Sequence, residues 1–431
     1  MVKPLLNTNK RFIIDFSQNI FLNNRKDLFM TKITKASIDL GNDTIKAHIN
    51  EEDLAIPSVI APSSALAKKH FTSDREETEY FKHFEDYMDA SVSSPAVNTQ
   101  NRIYVGQAAI NSGETGRRFD VNSFSGKSAD DLSVLLMLTT IAAWRVKQAY
   151  FNKENLFNPL SITVNLTTAL PIREAKELNV IDHYQDKFLA SSHTVVFYNF
   201  NQLITVNIRF NQVLCTLEGQ AAQIAIKNPK MYPQLGQSIV NYLHSHYPNL
   251  KHITLDQILQ AKQVVLEDMG GKTSDFAVLA NGRANINVSN SIIKGYDSVL
   301  LRSIDLLQDA QRNFNSIGQL ESYLAEGPSV FDPAPYKQVE DVVKAQSESF
   351  ANDVLQGLSK VLGQGRLNPE LAFVCGGGSI AMAKYTDLDN QMQNMLSSFN
   401  GGRDVPIIWI DPKFAQKLNM MGLILLQKAL D

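Results

Sequence analysis

Two stretches of this sequence share a layout of residue types suited to holding phosphate. Ile38-Asp39-Leu40-Gly41-Asn42-Asp43-Thr44-Ile45-Lys46 is the first, and Leu266-Glu267-Asp268-Met269-Gly270-Gly271-Lys272-Thr273-Ser274-Asp275-Phe276 is the second. Each runs from an apolar strand-like segment to an aspartate, then glycine at a turn, a hydroxyl residue and a second apolar segment. Glycine lets backbone N–H groups converge on phosphate oxygens, because no Cβ blocks positive φ or close approach. Thr44, Thr273 or Ser274 can add a hydroxyl donor. Asp39 and Asp268 would repel bare phosphate, so they fit chiefly if a hard cation lies between. Magnesium is commonly held by one or two carboxylates plus phosphate oxygens and water. A third run, Phe373-Val374-Cys375-Gly376-Gly377-Gly378-Ser379, is a strand leading into backbone bare enough to lie against a flat nucleoside, with helix-start N–H groups beyond. Each segment alone is also what a structural hairpin or tight packing produces; their combination in two halves of one chain points to a shared polyphosphate.

Competing motifs fail on spacing. Gly126-Lys127-Ser128 resembles the end of a Walker A loop, but Val121 stands where that loop needs its first glycine; Leu266 does the same to Gly271-Lys272-Thr273. No Gly-x-Gly-x-x-Gly opens a helix after the first strand, which argues against a dinucleotide site. His244 and His246 lie on opposite sides of a helix and read as polar surface rather than metal ligands. Cys375 reads as a small apolar filler beside the glycines.

The elements that must position these turns can be read from periodicity. Strands are expected at 36–40, 44–49, 161–170, 264–268, 276–279 and 371–374, with two more inside 194–210 around the polar residues 199–202. The spacing of Leu132, Leu135, Leu136, Thr139, Ala143 and Val146 predicts a helix over 130–150, with Ser128 and Asp131 giving a capping-like start. A short alanine-rich helix is expected at 218–226 and an amphipathic one at 414–430. Residues 64–101 are polar and charged and read as an insertion with mobile loops.

Length and composition bound the rest. At 431 residues the chain suits two domains, and 44% hydrophobic with 20% charged residues is ordinary globular composition. A formal charge of −3 with both signs spread along the chain gives no generic grip on nucleic acid. Two distant cysteines exclude a disulfide framework and suit a reducing cytoplasm. No apolar run reaches the roughly 18 residues of a membrane span, and the start lacks a signal-peptide layout. Phe12, Ile13, Phe16 and Ile20 fall near one face of a possible surface-lying helix over 11–24; against this, Met30 looks like a natural start just before the first strand.

Taken in order, the three glycine segments resemble the actin, sugar-kinase and heat-shock-chaperone ATPase superfamily. Closer in, the chain resembles the ParM-type bacterial actin-like proteins that segregate plasmids. Ile56-Pro57-Ser58 follows the first hairpin at that family's spacing, and Ile103-Tyr104-Val105-Gly106-Gln107-Ala108-Ala109 resembles its "YxVG-x-A" segment. Thr167-Thr168-Ala169-Leu170-Pro171-Ile172 resembles its "GLP" strand end, with Thr168 and Ala169 replacing the usual pair.

The resemblance implies an α/β fold of two actin-like (ribonuclease-H-like) domains, each a mixed sheet flanked by helices, with a nucleotide cleft between them. The implied layout is residues 33–218 with a small insertion near 64–118, residues 219–412, and a C-terminal helix at 413–431 returning to the first domain, after an extension at 1–32. ATP with Mg2+ would sit in the cleft. Asp39 and Asp268 would hold the hydrated metal; Gly41, Asn42, Thr44 and Lys46 would form the first phosphate loop. Gly270, Gly271, Lys272, Thr273 and Ser274 would form the second, where Lys272 departs from the usual glycine or hydroxyl residue. Gly376, Gly377, Gly378 and Ser379 would contact the adenosine, while Tyr323 and Glu326 fall in a region that could face the base. Glu218, or as second choice Gln220, would orient the attacking water.

Implied with the family are slow ATP hydrolysis, filaments of the chain's own copies and a DNA-binding adaptor at a plasmid centromere, all in the cytoplasm. Two other readings use the same fold. A small-molecule kinase would need a sugar loop and a catalytic aspartate, and a non-filamentous ATP-dependent clamp or sensor would close on nucleotide without assembling.

Overall fold

The computed structural model describes residues 33–64, 68–98, 101–120 and 126–430; the amphipathic helix expected at 11–24 lies outside them. Its architecture is α/β, built on two sheets. The larger contains β1 (Thr34–Leu40), β2 (Thr44–Ile49), β3 (Glu52–Pro57), β4 (Ile60–Pro62), β5 (Asp89–Ser93), β6 (Ile103–Val105), β7 (Leu160–Leu170), β8 (Ser192–Phe197) and β9 (Ile204–Leu217). Their order across the sheet is β3-β2-β1-β7-β9-β8-β5-β6-β4. Strand β7 is central, parallel to both β1 and β9, and buried along nearly its whole length. That explains its continuous run of apolar and threonine residues, since a parallel strand is covered on both faces.

The second sheet runs β12 (Arg283–Ala284), β11 (Ser274–Ala280), β10 (Gln263–Met269), β14 (Leu371–Cys375), β15 (Ile407–Trp409), with β13 (Asn290–Ile292) pairing β11. Alternate side chains of its strands feed two cores. Val265, Phe276 and Val278 pack with the 32-residue helix Ala334–Gly365, while Leu266, Ala277 and Leu279 pack with the helices Gln220–Ile226 and Pro233–His246. Period-2 alternation between two apolar layers is what a sheet sandwiched by helices requires.

Three local expectations change. The long helix spans Asp131–Phe151 and is capped by Asp130, whose carboxylate accepts from Leu132 N at 2.9 Å. Ser128 is no cap, because Gly126–Ala129 forms a helical turn of its own. Within the polar segment 64–101, a helix Asp74–Lys82 buries Tyr80 and Phe81, and β5 hydrogen-bonds into the large sheet between β8 and β6. Its apolar residues were hidden by a charged outer face. The C-terminal helix is broken into Pro412–Ala415 and Leu418–Gln427. The break comes where Ala415 and Gln416 turn their carbonyls away from helical partners, to Gly376 N at 3.0 Å and Lys46 Nζ at 2.9 Å. Helix Leu418–Gln427 packs on β1, β7 and helix Gln220–Ile226.

Candidate functional site

Both hairpins deliver their aspartates as expected. In the first, Asp39 pairs with Lys46 and Leu40 with Ile45, leaving residues 41–43 as the turn. Ser58 anchors that turn from behind, its hydroxyl donating to Gly41 O at 2.7 Å and its N–H to Asp43 O at 2.8 Å. This gives the Ile56-Pro57-Ser58 segment a physical task. In the second, Asp268 pairs with Asp275 and Met269 with Ser274, and Gly270 N closes the turn on Thr273 O at 2.9 Å.

The third glycine segment meets the second hairpin directly. Strand β14 lies parallel to β10 with Cys375 beside Asp268, and Gly376 then starts the helix Gly377–Tyr385. Gly376 has φ +90°, and a Cβ there would stand 2.4 Å from both Asp268 Oδ1 and Met269 O. Only glycine satisfies both constraints. Helix Tyr296–Asp309 abuts the same turn, donating Tyr296 N to Gly270 O at 3.0 Å and Asp297 N to Gly271 O at 2.8 Å.

All three segments open on one cleft of about 410 Å³. Asp39, Gly41, Asn42, Thr44 and Lys46 line it from the first hairpin; Asp268, Gly270, Gly271, Lys272 and Thr273 from the second; Gly376, Gly377 and Gly378 from the third segment. Glu218 also lines it, at the end of β9 just before the helix Gln220–Ile226. Three expected residues do not. Gln220 is already in the helix, Ser274 is buried on β11, and Ser379 spends its hydroxyl on Gly376 O at 2.7 Å.

Further residues, and a pairing between the two glycine turns, complete the walls. Lys127 is buried with its Nζ 2.7 Å from Leu40 O and 3.4 Å from Glu218 Oε1. Lys272 ion-pairs with Asp43 at 2.7 Å, joining the tips of the two glycine turns. Asn419 reaches in from the last helix to Asp268, and Glu321 from helix Ile317–Glu326. Tyr323, in the region expected to face a base, packs instead against Phe314 and Tyr336. Lys127 lies in Gly126-Lys127-Ser128, whose spacing does not make a Walker loop, so its local sequence does not mark it for this cleft. Asn419 and Glu321 carry no local motif.

The charges are lopsided. Burial, then neighbouring Asp275 and Asp39, push the Asp268 carboxyl up to about 7. Burial also raises Glu218, with Lys127 pulling against it and Asp275, Asp39 and Asp268 adding to it. Burial works against the charge of Lys127, yet Glu218, Asp39, Glu174 and Asp275 together hold its pKa above the usual value. Crowded carboxylates whose ionisation is mutually costly are the setting in which a divalent cation is favoured. Among the described residues no three His, Cys, Asp or Glu side chains are grouped to hold a metal alone. Asp39 and Asp268, opening on one cleft, are a donor pair of the kind that magnesium takes together with phosphate oxygens and water.

The actin-like protein Alp7A superposes on this chain with a TM-score of 0.63 at 17% identity, covering 92% of this chain and 96% of Alp7A. The chain has the actin-like fold. Bacillus thuringiensis ParM with ATP shares it at TM-score 0.58 and 17% identity, covering 93% of this chain and 100% of that one. So does an archaeal actin homolog, at TM-score 0.55 and 14% identity over 93% and 100%. No family model and no curated protein matches the sequence. No helix among the described residues is long and apolar enough to cross a membrane.

Proposed function

We propose that the chain is a polymerising actin-like ATPase that holds Mg-ATP between its two glycine hairpins and hydrolyses it slowly as filaments turn over. One observation carries the reading: three glycine segments far apart in sequence converge with Asp39 and Asp268 on a single cleft. A ParM of the same fold has been solved with ATP.

In this reading the backbone of both turns and Lys272 receive the phosphates, and Gly376–Gly378 with the start of helix Gly377–Tyr385 receives the nucleoside. Asp39 and Asp268 would hold magnesium, which when bound would supply charge neutralisation of the phosphate oxygens. Glu218 orients water; phosphoryl transfer asks mainly for positioning and electrostatic stabilisation. Assembly is head-to-tail and non-closing, as filaments require. A DNA-binding adaptor, a plasmid cargo and a cytoplasmic setting belong to the same proposal, with the likeness to ParM in its support.

Light scattering and pelleting with ATP, ADP or no nucleotide, beside phosphate release, test it. Assembly that rises only with ATP, and weakened nucleotide binding in Asp268→Ala, are expected. A lasting monomer that changes shape with ATP would favour a clamp, and turnover that needs a small-molecule acceptor would favour a kinase.

A further inference from the structure

The segment Gly126–Ala129 is held more firmly than a connecting turn requires. The buried Glu174 carboxylate accepts Lys127 N at 2.9 Å and Ser128 N at 2.8 Å. Gly126 has φ +64°, and a Cβ there would stand 2.2 Å from the Glu174 carboxyl carbon. Lys187 closes the other end, its Nζ donating to Ser128 O at 2.6 Å. The backbone of Lys127 is thus clamped from two sides, and its side chain has a defined origin.

From there the side chain runs to the floor of the cleft. Burying an ammonium is costly unless it is paired and hydrogen-bonded. Here its partners are Leu40 O at 2.7 Å, at the end of the strand bearing Asp39, and Glu218 Oε1 at 3.4 Å. Those two groups come from different strands, β1 and the end of β9, and the lysine spans them. A bare core ion pair would have no reason to face the cleft, yet Lys127 and Glu218 both line it.

We propose that Lys127 is a positioning residue for Glu218: its ammonium ties the carboxylate to Leu40 O and so fixes where Glu218 stands in the cleft. This rests on the nucleotide-hydrolysing reading above and adds the device that aims its water-orienting group. A freely rotating Glu218 would sample many orientations, and loss of a defined geometry costs rate rather than affinity.

A double-variant cycle tests it, using the full chain, single-turnover phosphate release, affinity for a fluorescent ATP analogue, and circular dichroism melts. Lys127→Met and Glu218→Gln should each slow release by about 100-fold, with affinity within about threefold. The double variant should be no slower than either single one, because residues acting as a unit are not additive. If Lys127→Met alone unfolds, the double variant, which removes both charges, is compared with Glu218→Gln: equal rates support the proposal and a further loss overturns it. Multiplying losses, or affinity reduced tenfold with bound nucleotide still turned over normally, would make Lys127 an independent phosphate ligand and overturn it. A wild-type chain that binds no ATP would overturn the parent reading, and the positioning role with it.

Discussion

Asn419 donates its side-chain amide to Asp268 Oδ2 at 2.9 Å while its carbonyl oxygen accepts from Gly219 N at 3.1 Å. One residue of the last helix therefore ties the second aspartate to the residue after Glu218. Both bonds are partly buried, so removing their shared partner strips two groups of a hydrogen bond. Asn419→Ala should lower stability by about 1–3 kcal/mol and weaken ATP binding by roughly tenfold. Asn419→Asp should bind more weakly still, since it sets a like charge against Asp268. Urea unfolding and nucleotide titration read the two effects; an alanine variant matching wild type in both would show that the bridge has no consequence.

Gly376 makes a sharper case. Its φ of +90° and the 2.4 Å approach to Asp268 Oδ1 mean that Gly376→Ala must move either the aspartate or the strand tip. Gly401, with φ +66° and nothing within 4 Å of an added Cβ, isolates the backbone penalty alone. Gly401→Ala should cost about 1–2 kcal/mol, and Gly376→Ala more than that, together with ATP binding. Equal melting temperatures for the two variants would mean the space around Gly376 is not used as described.

The hairpins were legible because strand, aspartate, glycine and hydroxyl follow one another within a few residues, and that local order survives folding unchanged. Glu218 was legible only through a resemblance; it precedes the helix cap Gly219 and lines the cleft, whereas Gln220 lies in the helix and does not. Lys127, Asn419 and the Lys272–Asp43 pair were not legible, because each owes its role to a partner many residues away. The break at Gln416 was hidden for the same reason: the apolar spacing continues through it, while the carbonyls that end the helix answer to Lys46 and Gly376.

Glu267 stands out as a buried carboxyl in β10, opposite in facing to Asp268. Among the described residues neither of its oxygens has a hydrogen-bond partner, and its register neighbours are Phe276 and Val374. Burial, then Asp268, push its pKa well above the ordinary carboxylate range. A group in that position costs stability that an apolar side chain of similar volume would not. Glu267→Leu should raise the unfolding free energy by about 1–3 kcal/mol in urea. A loss of similar size would mean that the carboxyl has a partner whose loss outweighs its burial.

His193 gives the chain a pH dependence remote from the cleft. It is fully buried, with Nε2 2.9 Å from Phe188 O and Nδ1 2.8 Å from Ser94 Oγ. A carbonyl can only accept, so Nε2 carries the proton and Nδ1 of the neutral ring accepts from the Ser94 hydroxyl. Burial lowers the ring's pKa below 6.5, against a smaller pull upward from the Phe188 carbonyl. The folded protein therefore stays neutral here while the unfolded chain takes up a proton below about pH 6.5. The stability from this group is fully present above that value and is lost as pH falls towards the folded pKa, at up to about 1.4 kcal/mol per pH unit. His193→Gln lacks the titration, while every other group titrates alike in both proteins. Urea unfolding of the two at about pH 7.5, about 6.5 and about 5.5 should show wild type losing stability relative to the variant as acid is added. Curves that stay parallel across that range would show that His193 is not held neutral by the fold.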